Sequence, residues 1–117
     1  QAINYAVIEY MLQAAGAVVE RAENGQETLQ RFRTAAPGSI DLILMDIMMP
    51  NMNGYEATRA IRSLSREDAR TIPIVAMTAY AMAGDRVRFL EMGMSGYVAK
   101  PVQYDDLLLV ISRVVAG

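Results

Sequence analysis

The stretch "LILMDIMMPNMNGYEATRAIR", residues 42–62, joins an apolar run to a carboxylate, a loop and an amphipathic helix. The apolar run covers residues 42–45 and ends at Asp46. A buried ionised carboxylate is costly unless it is paired, hydrogen-bonded or bound to a metal. Asp46 therefore either caps the loop that follows it at the protein surface or forms part of a site.

The composition limits the chemistry that such a site can perform. The 117 residues include no Cys and no His, which excludes disulfides, thiolate nucleophiles, Ser-His-Asp triads and the common zinc sites. The net charge of −2 gives no reason to expect contact with nucleic acid or with a membrane surface. No apolar run reaches the length of a membrane span. We therefore expect a cytoplasmic domain, whose parent protein can carry a membrane anchor.

Apolar periodicity predicts the order of helices and strands. Continuous apolar runs are typical of strands covered on both faces, and a spacing of three or four is typical of helices. Strands are predicted at residues 17–22, 42–45, 72–78 and 96–100, and helices around residues 8–15, 29–32, 57–64, 87–90 and 107–114. This alternation predicts one α/β domain, residues 1–117, with a doubly wound parallel sheet.

Three polar residues fall at the carboxyl ends of separate predicted strands, where parallel sheets bind their ligands. Asp46 can act as a nucleophile toward phosphorus, while Thr78 and Lys100 can contact phosphoryl oxygens. Each residue alone also has an ordinary role: Asp46 as a loop cap, Thr78 as a structural hydroxyl, and Lys100 as a solvated charge. Their coincidence at one sheet edge favours a phosphoryl-handling site, which usually also binds Mg²⁺.

Three long segments of the chain resemble the receiver domain of two-component signalling, most closely the receivers of hybrid sensor histidine kinases. They are "INYAVIEYMLQAAGAVVERAENGQETL", "DLILMDIMMPNMNGYEATRAIR" and "IPIVAMTAYAMAGDRVRFLEMGMSGYVAKP". The spacing is specific, because Thr78 lies 32 residues after Asp46 and Lys100 lies 22 residues after Thr78. The resemblance implies a flavodoxin-like fold with strand order 2-1-3-4-5.

The resemblance also implies a role for each site residue. Asp46 would accept a phosphoryl group from a phosphohistidine on a kinase or phosphotransfer domain, and Asp46 and the Met48 backbone carbonyl would bind Mg²⁺. Thr78 and Lys100 would contact the phosphoryl group, and Thr78 and Tyr97 would form the switch. The remaining residues would shape loops: Pro50, Gly54 and Pro101, the last after a cis Lys100–Pro101 bond. The surface that changes would be the fourth helix, the strand at 96–100 and the last helix.

The sequence departs from the family at its start. The chain begins where the acidic pair that helps to hold Mg²⁺ would have ended, so we expect the central first strand and this pair to be missing. Glu9 and Glu20 lie in the wrong elements to replace the pair. We therefore expect weakened Mg²⁺ binding and a domain that folds poorly alone. The missing strand would be supplied by upstream residues or by another chain, through strand exchange or a dimer.

Three classes of function remain to be weighed. The first is a phosphoacceptor receiver, which is no stand-alone enzyme but promotes its own phosphorylation within a hybrid kinase or response regulator. The second is an interaction module of the same fold that cannot be phosphorylated. The third is a hydrolase with an aspartyl-phosphate intermediate, which the sequence disfavours because Met48 stands where an acid-base carboxylate would be expected.

Overall fold

Three parallel strands form the sheet that positions the site. The computed structural model describes residues 5–48, 52–79 and 85–116. The strands are β1 (Ile43–Asp46), β2 (Ile74–Thr78) and β3 (Gly96–Ala99), and the helices are α1 (Tyr5–Ala14), α2 (Gly25–Thr34), α3 (Gly54–Arg62), α4 (Asp68–Thr71), α5 (Asp85–Glu91) and α6 (Tyr104–Ala116). The strand order is β1-β2-β3. In this register Asp46 pairs with Met77, and Thr78 pairs with Ala99, so the carboxyl ends meet at one edge.

Helices cover both faces of this sheet, which confirms the predicted α/β architecture. One apolar cluster packs α2, α3, α4 and α5 against the face that carries Met45 and Ala76. The second cluster packs α1 and α6 against the opposite face, which carries Val75, Met77 and Val98. Because neighbouring residues of a strand point to opposite faces, β2 needs apolar side chains throughout, and its four apolar residues are all buried.

Local signals in the sequence fix several helix ends. The Asn53 side chain accepts a hydrogen bond from the Glu56 N–H at 2.9 Å, and the Glu56 side chain accepts one from the Asn53 N–H at 3.0 Å. This reciprocal capping box satisfies amide groups that would otherwise lack partners at the start of α3. Gly16 and Gly93 follow α1 and α5 with φ values of 98° and 96°, a conformation that glycine adopts without steric cost.

The prediction of a strand at residues 17–22 was wrong. This segment is not paired with any strand in the part of the chain that the structure describes, and Val18 is 96% exposed. A β-strand requires a neighbouring strand to bond its N–H and C=O groups, so a suitable apolar pattern alone does not create one. The three described strands correspond to the 3-4-5 end of the predicted order. The expectation that the central strand lies outside the chain stays a prediction.

The short helix α4 was not predicted, and it belongs to a polar clamp. The Arg66 guanidinium donates to both carboxylate oxygens of Asp68, at 2.7 and 2.8 Å, and also to the Phe32 carbonyl at 3.0 Å. It stacks over the Phe32 ring at 4.6 Å. Asp68 in turn accepts a hydrogen bond from the Gly38 N–H at 3.1 Å. The clamp therefore joins the end of α2 to α4.

The clamp should make stability depend on pH in the acid range. The hydrogen bonds from Arg66 lower the pKa of Asp68 to about 2. The unfolded chain then binds a proton more readily than the folded protein, so the stabilisation is complete above about pH 4 and is lost as the pH falls toward 2. We expect Asp68→Asn to lower the midpoint of urea unfolding at pH 5 and to have a smaller effect at pH 2.5. An equal loss at both pH values would contradict this coupling.

Candidate phosphoacceptor site

Asp46 lies at the end of β1 with only 8% of its surface exposed. Its Oδ1 atom accepts a hydrogen bond from Lys100 Nζ at 2.8 Å and another from the Met48 N–H at 3.1 Å. The ion pair and the backbone bond offset the cost of burying the carboxylate, because charge-assisted bonds are stronger than neutral ones. The carboxylate that ends the apolar run is thus buried and paired.

The second oxygen of Asp46 is bonded by a residue that sequence reasoning missed. The hydroxyl of Tyr5, the first residue of α1, donates a hydrogen bond to Asp46 Oδ2 at 2.5 Å. Burial is the larger cause, and the hydrogen bond to Asp46 the second, of a pKa of the Tyr5 phenol well above its ordinary value. The phenol therefore stays protonated and remains a donor. The spacing of Tyr5 and the buried Ile8, three residues apart, indicates that they share a helix face. The sequence contains no signal that this face meets Asp46.

Lys100 reaches Asp46 from the loop after β3. Its backbone N–H donates to the Thr78 carbonyl at 2.8 Å, which continues the bonding between β2 and β3 by one residue. The Lys100–Pro101 peptide bond is cis, as expected from the resemblance. The structure therefore brings two of the three predicted site residues, Asp46 and Lys100, into direct contact.

Thr78 lies on the neighbouring strand, one residue beyond the level at which Met77 pairs with Asp46. It is buried and lines a cleft of about 190 Å³. The other residues that line this cleft come from the loop after β1, α3 and α5: Ile47, Met48, Tyr55, Arg88 and Phe89. The cleft adjoins Asp46 through Ile47 and Met48, so a small ligand held there would be close to the carboxylate.

Tyr97 is half-buried on β3, opposite Ala76 of β2. Thr78 lies two residues after Ala76, so Thr78 and Tyr97 belong to the same face of the sheet. The Tyr97 ring packs against Phe89 with 5.2 Å between centroids, and Phe89 stacks on Tyr55 at 6.1 Å. Phe89 therefore connects Tyr97 with the cleft that Thr78 lines.

The residues expected to shape the loops are Gly54, Pro101 and Pro50. Gly54 begins α3 directly against the end of β1: a Cβ at this position would lie 2.7 Å from the Asp46 carbonyl oxygen and 3.0 Å from Ile47 Cα. A side chain there would force the two elements apart. Pro101 follows the cis bond. Pro50 lies outside the described residues.

The donor groups around Asp46 restrict the kind of metal that fits. Within residues 5–48, 52–79 and 85–116, no three acidic, His or Cys side chains are gathered to hold a metal. Mg²⁺ is commonly bound through one or two carboxylates, several waters and substrate phosphate oxygens. A single buried carboxylate beside the Met48 backbone suits that mode and does not suit a metal centre made of protein ligands alone.

The arrangement is suited to forming a bond between the Asp46 carboxylate and phosphorus. It offers a carboxylate nucleophile, an ammonium group that can neutralise an oxyanion, and a hydroxyl at the same sheet edge. None of the helices within residues 5–48, 52–79 and 85–116 has the length and apolar character of a membrane-spanning segment.

Comparisons with known proteins identify the family to which this fold and site belong. The sequence matches the response regulator receiver domain family over residues 1–112. It is 40% identical over 94% of its length to hybrid signal transduction histidine kinase I of Dictyostelium discoideum, and 38% identical over 94% to the sensor histidine kinase GacS of Pseudomonas protegens. The chain spans only 6% and 12% of the length of these two relatives.

A solved structure supports the same assignment. The receiver domain of the sensor histidine kinase PA1611 from Pseudomonas aeruginosa is 37% identical, with a TM-score of 0.82 over 97% of this chain and 89% of that one. That structure is described as having a magnesium ion coordinated in its active-site cleft. The flavodoxin-like fold expected from the sequence is thereby confirmed. The chain belongs to the response regulator receiver domain family of two-component signalling.

Proposed function

We propose that this receiver accepts a phosphoryl group on Asp46 from a phosphohistidine of a histidine kinase or phosphotransfer domain. The observation that carries the proposal is the buried Asp46 carboxylate, held by Lys100 at the carboxyl edge of a parallel sheet. Such an edge is where open α/β sheets bind ligands. The similarity to hybrid histidine kinases supports the choice of a phosphohistidine as donor.

Three residues of the chain take part in the proposed transfer. An Asp46 oxygen forms a bond to phosphorus as the bond from phosphorus to the imidazole nitrogen breaks, and that nitrogen keeps the electron pair. Lys100 Nζ, now paired with Asp46 Oδ1, is close enough to neutralise an oxygen of the arriving group. The Thr78 hydroxyl, in the wall of the cleft, donates a hydrogen bond to another phosphoryl oxygen.

The proposed cofactor is Mg²⁺, which the Asp46 carboxylate and the Met48 backbone carbonyl would hold. When bound, Mg²⁺ supplies neutralisation of the negative charge that gathers between carboxylate and phosphate. The magnesium in the solved receiver domain of PA1611 supports this assignment. The expected weakening of Mg²⁺ binding by the loss of an acidic pair stays a prediction.

The proposed output is a change in the surface formed by α5, β3 and α6. Thr78 would move toward the phosphoryl group, and Tyr97 would follow because Phe89 connects it with the cleft. Two apolar side chains of α5, Val87 and Leu90, are exposed on this surface. They would give a partner protein an apolar contact that depends on the position of α5.

Replacement of Asp46 tests the proposed function. Phosphoramidate with Mg²⁺ is expected to phosphorylate the wild-type protein, and Asp46→Asn is expected to lose all incorporation because an amide is not a nucleophile here. The measurement is the mass increase of about 80 Da that one added phosphoryl group produces. Asp41→Asn is the matched control, since Asp41 is exposed just before β1.

Two outcomes would contradict the proposal. Incorporation that survives in the Asp46→Asn protein would assign the phosphoryl group to another residue. No incorporation in the folded wild-type protein, from phosphoramidate or from a phosphorylated phosphotransfer domain, would instead favour the interaction module that cannot be phosphorylated.

A further inference from the structure

Both oxygens of the Asp46 carboxylate are engaged by hydrogen-bond donors. Oδ1 is bonded by Lys100 and by the Met48 N–H, and Oδ2 is bonded by the Tyr5 hydroxyl. Lys100 and Met48 belong to the phosphotransfer site described above. Tyr5 comes from α1, on the sheet face opposite the cleft, and nothing in the proposed function requires it.

Tyr5 is held in this position by contacts of its own. The Arg21 guanidinium lies over the Tyr5 ring, 5.3 Å from its centroid. Arg21 also pairs with Glu9 at 3.8 Å, and Glu9 lies one helical turn after Tyr5 on α1. The segment between α1 and α2 thus supplies a cation that fixes the ring, while α1 supplies the ring and the anion. This arrangement restricts the phenol to the neighbourhood of Asp46.

We propose that Tyr5 is a positioning residue of the phosphoacceptor site, whose hydroxyl caps Asp46 Oδ2 and slows phosphorylation until the ring moves away. The inference rests on the proposed function of Asp46. A donor on a carboxylate oxygen withdraws electron density from it and occupies the direction from which phosphorus would approach. The rate of phosphorylation is then set in part by how firmly α1 and Arg21 hold the phenol.

The cap adds a movement of Tyr5 before phosphoryl transfer, but Tyr5 takes no part in the bonds that form and break. The Tyr5 hydroxyl keeps its proton and withdraws from Oδ2. Oδ2 then forms the bond to phosphorus while the bond between phosphorus and nitrogen of the donor breaks, and the departing nitrogen keeps the electron pair and takes a proton from solvent. Lys100 Nζ, which bonds Oδ1, has further N–H groups to turn toward an oxygen of the arriving phosphoryl group.

The test compares Tyr5→Phe with Tyr10→Phe. Tyr5→Phe keeps the ring and removes only the hydroxyl, so we expect phosphorylation by phosphoramidate with Mg²⁺ to become about five- to tenfold faster. Tyr10 lies on the same helix and is 73% exposed, so Tyr10→Phe should leave the rate unchanged. Thermal unfolding of each variant checks that it remains folded.

A second variant distinguishes a cap from a general loosening of α1. Arg21→Gln leaves Tyr5 in place but removes the cation over its ring, and we expect a rate increase of about threefold. If Arg21 acts through Tyr5, the double variant should be no faster than Tyr5→Phe alone. This variant also tests the inference should Tyr5→Phe fail to fold.

A third readout does not depend on phosphorylation. The NMR signal of the Tyr5 ring carbon that bears the hydroxyl should shift in the Asp46→Asn protein, whereas that of Tyr10 should not. An unchanged Tyr5 signal would overturn the inference. A wild-type protein that is phosphorylated at least as fast as Tyr5→Phe would also overturn the inference. That result would leave the proposed function standing. Absence of phosphorylation in every variant would overturn both.

Discussion

Lys100→Met is expected to destabilise the protein by about 3 kcal/mol, because it leaves the buried Asp46 carboxylate without its cation. The Lys100 ammonium lies 2.8 Å from Asp46 Oδ1, and both side chains are largely covered. The bonds from Tyr5 and the Met48 N–H remain, so the loss should lie at the lower end for a broken buried pair. The measurement is urea unfolding at pH 7, followed by circular dichroism.

The double variant Asp46→Asn with Lys100→Met separates a lost attraction from a stranded charge. With both charges removed, we expect stability to return to within about 1 kcal/mol of the wild-type value. A double variant as unstable as Lys100→Met would mean that the lysine stabilises the fold by packing alone. Lys100→Arg keeps the charge but changes its shape, so it should preserve stability better than it preserves phosphorylation.

The part of the site that could be predicted from the sequence is the part that lies at the ends of strands. Asp46, Thr78 and Lys100 each follow an apolar run, and parallel strands end at a common edge, so the sequence alone places them near one another. The direct contact of Asp46 with Lys100 agrees with that reasoning. Tyr5 was missed because its partner lies 41 residues away on a different element. Periodicity identifies the face of a helix, but it does not identify the strand that this face meets.

The fold was predictable to the extent that each element signals its own structure. The capping box of Asn53 and Glu56, and the apolar repeats of α3 and α6, are local signals. Residues 17–22 carry a strand pattern but are not paired in the described structure, since pairing depends on a neighbour elsewhere. The helix Asp68–Thr71 is too short for a periodic signal, and the Arg66 clamp beside it depends on carbonyls of α2.

Phe89→Ala is expected to lower the free energy of unfolding by about 3–5 kcal/mol. Phe89 is 2% exposed, stacks on Tyr55 and packs against Tyr97, so truncation would leave a cavity between α3, α5 and β3. Leu90→Ala, one residue later, is the matched control. Leu90 is 47% exposed, and its removal should change stability by at most about 0.5 kcal/mol.

The position of Phe89 predicts a second consequence, at the proposed switch. Without Phe89, the Tyr97 ring loses the neighbour that connects it with the Thr78 cleft. The protein contains no Trp, so its near-ultraviolet circular dichroism comes mainly from tyrosine. We expect Phe89→Ala to reduce that signal under conditions where far-ultraviolet dichroism is intact, and Phe89→Leu to reduce it less. A near-ultraviolet spectrum unchanged in Phe89→Ala would mean that Phe89 does not hold the Tyr97 ring, and that phosphorylation at Asp46 must reach Tyr97 by another route.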